Sequence, residues 1–310
     1  MKISGFTFVR NATQYYFPIK QSIASILPIV DEFVVALGKG DPNDETEKEI
    51  LSIGSDKIKI IHREWDEELF KMGAIYSHET NFAKDQCTGD WLFYIQADEA
   101  VHEQYLPMIK SCCQKYLNDA KIEGILFNYR HFWGDYEHEL DFHGWYDHEI
   151  RIIRNSPDIQ SVGDAQSFRK KNGEKLNVVA LPAYVYHYGW VRPPSLMRGK
   201  KKEQESQYWG KKAAEDFFKD APLDYDYGAL GKIPIFKGTH PAVMKEWMAK
   251  HDWKDQLNLT HTFKDPGRKL QKHETAKYRT LSWIENNLLG HKRLFGYRNW
   301  NVIHTERPER

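Results

Sequence analysis

Two adjacent carboxylates follow an apolar run in the segment GDWLFYIQADEAV, residues 89–101. The run 91–95 is typical of a buried strand. It leads directly into four residues: Gln96, Ala97, Asp98 and Glu99. Magnesium and manganese prefer oxygen ligands and often take one or two carboxylates, with phosphate oxygens and water completing the shell. Asp98 and Glu99 are therefore candidates to hold a divalent cation against a diphosphate, although a cap for a helix beginning near His102 would equally explain Asp98.

Polar segments also follow the other strand-like runs of the first hundred residues. The runs are 2–9, 32–37, 57–61 and 91–95, and the segments after them are 10–11, 38–46, 62–66 and 96–99. The carboxyl ends of parallel strands meet at one edge of a sheet, and ligands bind there. The position of these polar segments therefore predicts a binding site at that edge.

The elements that position this site follow from the hydrophobic pattern. Helical patterns alternate with the four strand-like runs, one of them at about 67–87. This alternation predicts an α/β protein with a mostly parallel sheet flanked by helices. Residues 195–310 are basic and have mainly helical patterns, so we expect a catalytic domain at 1–194 and a C-terminal helical extension at 195–310.

The composition narrows the class of protein. Hydrophobic residues make up 41% of the chain and charged residues 28%, which is typical of a soluble folded protein. The formal net charge is zero, so the chain as a whole lacks the electrostatic signature of nucleic-acid binding. The three cysteines form neither a zinc pattern nor a disulfide framework. We expect a cytoplasmic protein, because the first residues are not typical of a signal peptide and no apolar run approaches the roughly 20 residues that span a bilayer.

The order of these motifs resembles that of glycosyltransferase family 2, whose members have the Rossmann-like GT-A fold. The segments that carry the resemblance are VVALGKGDPNDET, the helix containing Asn81, and GDWLFYIQADEAV. The resemblance is closest to the lipopolysaccharide-core branch, with its pattern G-D-W-V-L-x-L-D-A-D-E. It covers residues 2–120 and becomes looser through about 190, where YVYHYGWVR resembles the late histidine segment of the family.

The resemblance implies a metal-assisted transferase. Family 2 enzymes move a sugar from a nucleotide-sugar donor to a glycan or glycolipid acceptor with inversion, using Mn²⁺ or Mg²⁺. Asp98 matches the last Asp of the D-x-D motif, which binds the metal and the donor diphosphate, and Glu99 matches the acidic residue after it. His187 lies where many GT-A enzymes have a histidine near the metal or diphosphate, although it could equally be a packed strand residue. Five residues match the nucleotide pocket: Arg10, Asn11, Asp41, Asp44 and Thr46.

Three positions depart from the family pattern. Gln96 replaces the first Asp of D-x-D, so one charged contact to ribose or metal becomes neutral. VVALGKGD lacks the Asp that commonly recognises uracil, which leaves the donor base open. SVGDAQSF stands where the branch usually has a His-Glu pair. An inverting enzyme needs a carboxylate to take the acceptor proton, and Asp164 is nearest to the family position, with Asp147 and Glu149 as competitors.

Two other functions are open at this point. A non-catalytic nucleotide-sugar-binding relative would explain Gln96. A di-metal hydrolase could use the histidines and aspartates of residues 131–149. The basic run RGKKKEQESQYWGKK is either a solvated helix face or a contact with phosphate. The basic aromatic C-terminal tail is either a packed appendage or a peripheral contact with an anionic membrane surface.

Overall fold

One large sheet forms the centre of the computed structural model, which describes residues 1–262, 268–296 and 298–307. The strands are β1 (Ile3–Val9), β2 (Glu32–Gly38), β3 (Ile58–Arg63), β4 (Trp91–Tyr94), β5 (Glu99–Val101), β6 (Gly124–Trp133), β7 (His148–Arg154), β8 (Ile159–Val162), β9 (Ser167–Lys170), β10 (Leu176–Trp190) and β11 (Trp300–Thr305). The helices are α1 (Ile19–Ile26), α2 (Thr46–Leu51), α3 (Ala74–Asp85), α4 (Leu106–Lys115), α5 (Pro194–Trp209), α6 (Lys211–Phe218), α7 (Lys245–Met248) and α8 (Ala276–Asn287).

The strand order in the sheet is β11-β10-β6-β7-β4-β1-β2-β3, and β5 also pairs with β10. Strands β3, β2, β1 and β4 are all parallel, and β6, β10 and β11 are parallel to one another. Strand β7 runs antiparallel to both of its neighbours, and β5 runs antiparallel to β10. Strands β8 and β9 form a separate antiparallel pair. The predicted α/β class with a mostly parallel sheet and flanking helices is confirmed.

Both faces of the parallel region are buried. Successive residues of a strand point to opposite faces, so Val35 and Phe93 contact the apolar layer that contains α1 and α4. Val34 and Tyr94 contact the layer that contains α3. Burial on both faces explains why β2 and β4 are continuous apolar runs rather than alternating ones.

The predicted elements of the first hundred residues are found, with one boundary corrected. The four predicted strands correspond to β1, β2, β3 and β4. The helix predicted from about residue 67 begins at Ala74, because Met72 and Gly73 have φ angles of 52° and 73° in the left-handed region. Residues 67–69 form a separate 3₁₀ turn before this break.

The described part of residues 195–310 contains α5 to α8 and also returns one strand to the sheet. Strand β11 pairs parallel with the first half of β10. An aromatic layer joins this part of the chain to the sheet, where Phe132 stacks on Tyr188 at 5.2 Å between ring centres and Trp253 packs in the same cluster. The division into a catalytic domain at 1–194 and a C-terminal extension at 195–310 stays a prediction. The described part of the extension contains strand β11 in addition to its helices. Among the described residues, none of the helices has the length and apolar character needed to cross a membrane.

Candidate active site

A cavity of about 330 Å³ lies at the carboxyl ends of β1 and β4, with α5 along one side. Five polar or charged side chains of its lining come from four places in the fold: Arg10 after β1, Gln96 and Asp98 after β4, His187 on β10 and Lys200 on α5. Parallel sheets bind ligands at this edge. The cavity is therefore the candidate active site.

Asp98 and His187 face each other in the cavity. The backbone carbonyl of Asp98 accepts a hydrogen bond from the Tyr188 nitrogen at 2.8 Å, which holds the turn after β4 against β10. Oδ2 of Asp98 lies 3.8 Å from Nε2 of His187. Gly189 keeps this space open, because a Cβ at that position would lie 2.5 Å from the same Nε2 and 2.7 Å from the same Oδ2. The two atoms therefore border one small space.

Hydrogen bonds fix the tautomer of His187. Nε2 of His131 lies 2.7 Å from the Tyr146 carbonyl oxygen, which can only accept, so this nitrogen carries the proton. Burial lowers the pKa of His131 and the pKa of His187 to about 3, so both rings are neutral at pH 7. Nδ1 of His131 therefore accepts from Nδ1 of His187 at 2.9 Å. Nε2 of His187 is left with a free lone pair, 3.8 Å from Oδ2 of Asp98.

This pair of donor atoms suits a divalent cation that is shared with a substrate. A neutral imidazole nitrogen and a carboxylate oxygen, with no proton to place between them, are both metal ligands. Among the residues that the structure describes, no three or more His, Cys, Asp or Glu side chains lie close enough together to bind one metal ion. Magnesium sites commonly use one or two protein ligands and take the others from phosphate and water. Asp98 and His187 fit that pattern.

Gln96 lines the same cavity without adding charge. Its Nε2 lies 3.3 Å from the Tyr94 hydroxyl and 3.5 Å from the Ala165 carbonyl. The amide can hydrogen-bond to a ribose or a diphosphate, but it contributes no negative charge to a metal. The turn after β4 consequently contributes one carboxylate to the cavity, that of Asp98.

Glu99 does not line the cavity, which corrects its prediction as a metal ligand. Its fully buried carboxylate forms a bidentate ion pair with Arg151, with N–O distances of 2.8 and 3.0 Å. It also accepts hydrogen bonds from the Tyr129 hydroxyl at 2.7 Å and the Gln96 backbone nitrogen at 3.0 Å. These four donors occupy the four acceptor positions of a carboxylate. Glu99 therefore anchors the turn that carries Asp98.

Arg10 is the one predicted nucleotide-pocket residue that reaches the cavity. Its guanidinium carbon lies 5.4 Å from the centre of the Trp65 ring, and Nη1 lies 3.7 Å from Oε1 of Glu203. The side chain is held between a ring and a weak ion pair, so its cationic group is available to an anion in the cavity.

The other four predicted nucleotide-pocket residues bond to one another outside the cavity. Asn11 has a φ of 55°, and its Oδ1 accepts from the Asp41 nitrogen at 2.8 Å while its Nδ2 donates to the Asp41 carboxylate at 3.2 Å. The Thr46 hydroxyl donates to Asp44 at 2.7 Å and accepts from the Ala12 nitrogen at 2.7 Å. These contacts join the loops after β1 and β2.

Lys200 is a cavity cation that sequence analysis did not single out. Its Nζ lies 3.4 Å from the Gly189 carbonyl and 5.0 Å from the centre of the Trp190 ring. Burial and then the charge of Arg192 lower the pKa of Lys200 to about 7. Lys200 belongs to the basic run at 198–212, whose composition gave a signal without showing which lysine faces inward. An anion bound beside it would favour its charged form.

The three candidate bases lie in different places. Asp164 lines the cavity, and its Oδ2 accepts a hydrogen bond from the Tyr208 hydroxyl at 2.9 Å. Asp147 lies outside it, and although burial alone would raise its pKa, the hydrogen bond from His148 at 2.7 Å lowers it. Glu149 is 2% exposed, and burial raises its pKa to about 8, so it is protonated at pH 7. Of these three residues, Asp164 alone lines the cavity.

The histidine-rich segment 131–149 does not build a metal cluster. Nδ1 of His138 lies 2.8 Å from Asp135, and Nδ1 of His143 lies 2.6 Å from Glu285 on α8. These two histidines are thus paired with different acids, and no cluster of ligands is found within this fully described segment. The contacts remove the basis of the di-metal hydrolase hypothesis.

No protein-family model matches the chain, and no curated protein matches it. Among solved structures, the chain is similar to glucosyl-3-phosphoglycerate synthase from Mycobacterium tuberculosis in complex with Mn²⁺, UDP-glucose and phosphoglyceric acid, at 19% identity over 42% of this chain and 44% of that one, with a TM-score of 0.30. It is also similar to TarS from S. aureus, at 14% identity over 72% of this chain and 41% of that one, with a TM-score of 0.38. The chain spans less than half the length of both structures. At these TM-scores the likenesses are partial, so the site is interpreted from its own geometry.

Proposed function

We propose that the protein is a GT-A glycosyltransferase that moves a sugar from a nucleotide-sugar donor to a glycan or glycolipid acceptor, with inversion and with a divalent metal. The observation that carries this proposal is the approach of Asp98 Oδ2 to the lone pair of His187 Nε2, 3.8 Å away, at the carboxyl edge of a parallel sheet. Arg10 and Lys200 line the same cavity, so a diphosphate would meet cations besides the metal.

The cavity residues divide into metal ligands and phosphate contacts. Asp98 and His187 would hold Mn²⁺ or Mg²⁺, and the metal would stabilise negative charge on the leaving diphosphate. Arg10 and Lys200 would bind phosphate oxygens directly. The remaining donor-side residues would shape the nucleotide pocket and its loops: Gln96, Asn11, Asp41, Asp44 and Thr46.

Asp164 is the proposed base. The acceptor hydroxyl attacks the anomeric carbon and passes its proton to the Asp164 carboxylate. The bond from the anomeric carbon to the diphosphate oxygen breaks on the opposite face, which inverts the configuration. Tyr208 holds one oxygen of this carboxylate at 2.9 Å, and the other oxygen is the proposed proton acceptor.

The finer assignment is membership of glycosyltransferase family 2, near the lipopolysaccharide-core branch, with a role in cell-envelope polysaccharide. Its support is the segment GDWLFYIQADEAV at the end of β4. The proposed location is the cytoplasm, with peripheral contact to an anionic membrane surface. Exposed apolar and basic side chains near α8 support this contact: Trp283, Leu288, Phe295, Lys277 and Arg279.

Calorimetric titration of UDP and GDP in the presence of Mn²⁺ tests the proposed function. The wild-type protein should bind at least one of the two nucleotides, and Asp98→Ala should remove the metal-dependent part of the affinity because a methyl group cannot ligate. Asp56→Ala is the matched control, since Asp56 is exposed and outside the cavity. Binding of neither UDP nor GDP in the presence of Mn²⁺ would refute the proposal.

A non-catalytic nucleotide-sugar-binding protein is the second candidate, and Gln96 is the observation that favours it. Because residue 96 is an amide, Asp98 is the one carboxylate that the turn after β4 contributes to the cavity. A wild-type protein that binds nucleotide sugars but neither transfers nor hydrolyses them would be such a binder. In that case Gln96→Asp should raise Mn²⁺ affinity by at least about tenfold, because it adds a charged ligand.

A further inference from the structure

A second, larger cleft of about 1230 Å³ adjoins the candidate active site. Its lining includes residues 144–149 and parts of 290–302. Four residues line both spaces: Trp145, Tyr146, Gln166 and Trp190. A molecule in the second cleft would therefore lie across a shared wall from a donor bound in the first cavity.

Two carboxylates in the cleft lining are paired with arginines. Glu139 lies 2.6 Å from Nη1 of Arg130. Asp141 forms an ion pair with Arg293 and accepts a further hydrogen bond from Asn286 at 2.9 Å. Neither carboxylate is left to balance another cation of the cleft.

Of the other two carboxylates of the lining, one contacts a histidine and an arginine and the other is protonated. Asp147 lies 2.7 Å from Nδ1 of His148 and 3.9 Å from Nε of Arg293. Glu149 is buried, and burial raises its pKa to about 8, so it carries little charge at pH 7. Among the described lining residues, each ionised carboxylate of the cleft therefore lies within 4 Å of an arginine.

Three cations of the same cleft have no such partner. No carboxylate of the described chain lies within 4 Å of the charged groups of Lys272, Lys292 or Arg298, and all three are exposed. Nζ of Lys272 donates to the Gly144 carbonyl at 3.1 Å and lies 5.6 Å from the centre of the Trp145 ring. Lys272 is therefore next to the shared wall, where positive charge faces open space rather than an acid.

We propose that this cleft binds the acceptor, that the acceptor bears a phosphate group, and that Lys272, Lys292 and Arg298 form the cationic lining that recognises it. Trp145 offers a ring face for the acceptor sugar beside Lys272. Unpaired cations concentrated in one cleft attract an anion and bind phosphate by charge-assisted hydrogen bonds. The inference rests on the proposed function, because it assigns the acceptor of the same transfer.

Nuclear magnetic resonance titration tests this assignment. It measures the binding of mannose 6-phosphate and of mannose to the protein with Mn²⁺ and UDP present. The wild-type protein should bind the phosphorylated sugar more tightly than the plain one. The triple variant Lys272→Ala, Lys292→Ala, Arg298→Ala should weaken this binding at least about tenfold, since one hydrogen bond to a charged group commonly supplies that much. A matched triple variant, Lys212→Ala, Lys219→Ala, Lys237→Ala, removes the same charge from exposed positions outside both cavities and should bind as wild type.

A second arm distinguishes a soluble phosphate from one on a lipid. Vesicles of phosphatidylglycerol and of phosphatidylcholine are sedimented with the same three proteins. The wild-type protein could bind phosphatidylglycerol vesicles but not mannose 6-phosphate, with vesicle binding lost in the cleft triple variant. This result would support phosphate recognition with a lipid-borne acceptor. The inference is overturned if the cleft triple variant and the control triple variant bind mannose 6-phosphate equally and bind phosphatidylglycerol vesicles equally. It is also overturned if the wild-type protein binds UDP and Mn²⁺ but binds neither mannose 6-phosphate nor these vesicles. A wild-type protein that binds neither UDP nor GDP with Mn²⁺ would refute the proposed function separately.

Discussion

Replacing Glu149 with glutamine should make the free energy of unfolding less dependent on pH. The Glu149 side chain is 2% exposed, its Oε2 has no hydrogen-bond partner among the described residues, and burial raises its pKa from 4.5 to about 8. Between these two values the folded protein holds a proton that the unfolded chain releases. The free energy of unfolding therefore falls as the pH rises through this window, and this group has no such effect below about pH 4.5.

The size of this effect follows from the shift. One pKa unit corresponds to about 1.4 kcal/mol, so the full window sets an upper limit of about 5 kcal/mol. Relaxation of the protein and entry of water reduce such penalties, and we expect about 2–3 kcal/mol. Glutamine has no proton to release, so the Glu149→Gln variant should gain this amount over wild type between about pH 5 and pH 8.

Urea unfolding followed by circular dichroism at several pH values measures this difference. The contributions of all other titrating groups are shared by the two proteins and cancel in the comparison. Glu68→Gln is the control, because Glu68 is exposed and should show no such trend. A Glu149→Gln difference that stays flat from about pH 5 to pH 8 would refute the reasoning, and with it the exclusion of Glu149 as the base at pH 7.

Three further changes test other parts of the site. Arg151→Met leaves the Glu99 carboxylate buried without its cation and should lower the free energy of unfolding by about 3–5 kcal/mol; unchanged urea unfolding would contradict the anchoring role. Asp164→Asn should lower kcat about 10²- to 10⁴-fold with unchanged UDP affinity by calorimetry, whereas retained turnover would exclude it as the base. Gly189→Ala places a methyl group against Nε2 of His187 and should weaken Mn²⁺-dependent UDP binding at least about tenfold, while equal affinity would show that the metal lies elsewhere.

The sheet and the position of Asp98 could be predicted because both depend on local sequence. Strands buried on both faces are continuous apolar runs, and their order of alternation with helices indicates a parallel sheet. The carboxyl end of such a strand is then a defined place, and the turn that follows β4 must lie at the binding edge. This reasoning placed Asp98 in the cavity lining, where the structure has it.

The different roles of Asp98 and Glu99 could not be predicted, because they depend on residues far along the chain. Glu99 begins β5, which pairs with β10 in a register that sets it opposite His187. Its cation, Arg151, is 52 positions away on β7. No periodicity within the segment indicates that one carboxylate faces the cavity and its neighbour faces a buried guanidinium.

The cavity cation was missed for a related reason. The basic run at 198–212 covers most of α5 and the start of α6, and helical geometry turns successive lysines towards different surroundings. Lys200 faces the Gly189 carbonyl, whereas Lys201 pairs with Glu205 on the same helix at 2.9 Å. Which lysine enters the cavity depends on how α5 packs on the sheet, and this packing is a tertiary property.

The most direct test of the account is anomalous diffraction from crystals grown with Mn²⁺ and UDP. The account predicts a manganese peak in the space between Oδ2 of Asp98 and Nε2 of His187, next to Gly189, with UDP phosphate oxygens completing the shell. A manganese ion held by other side chains, or UDP bound in the cavity with no metal between these two atoms, would contradict it.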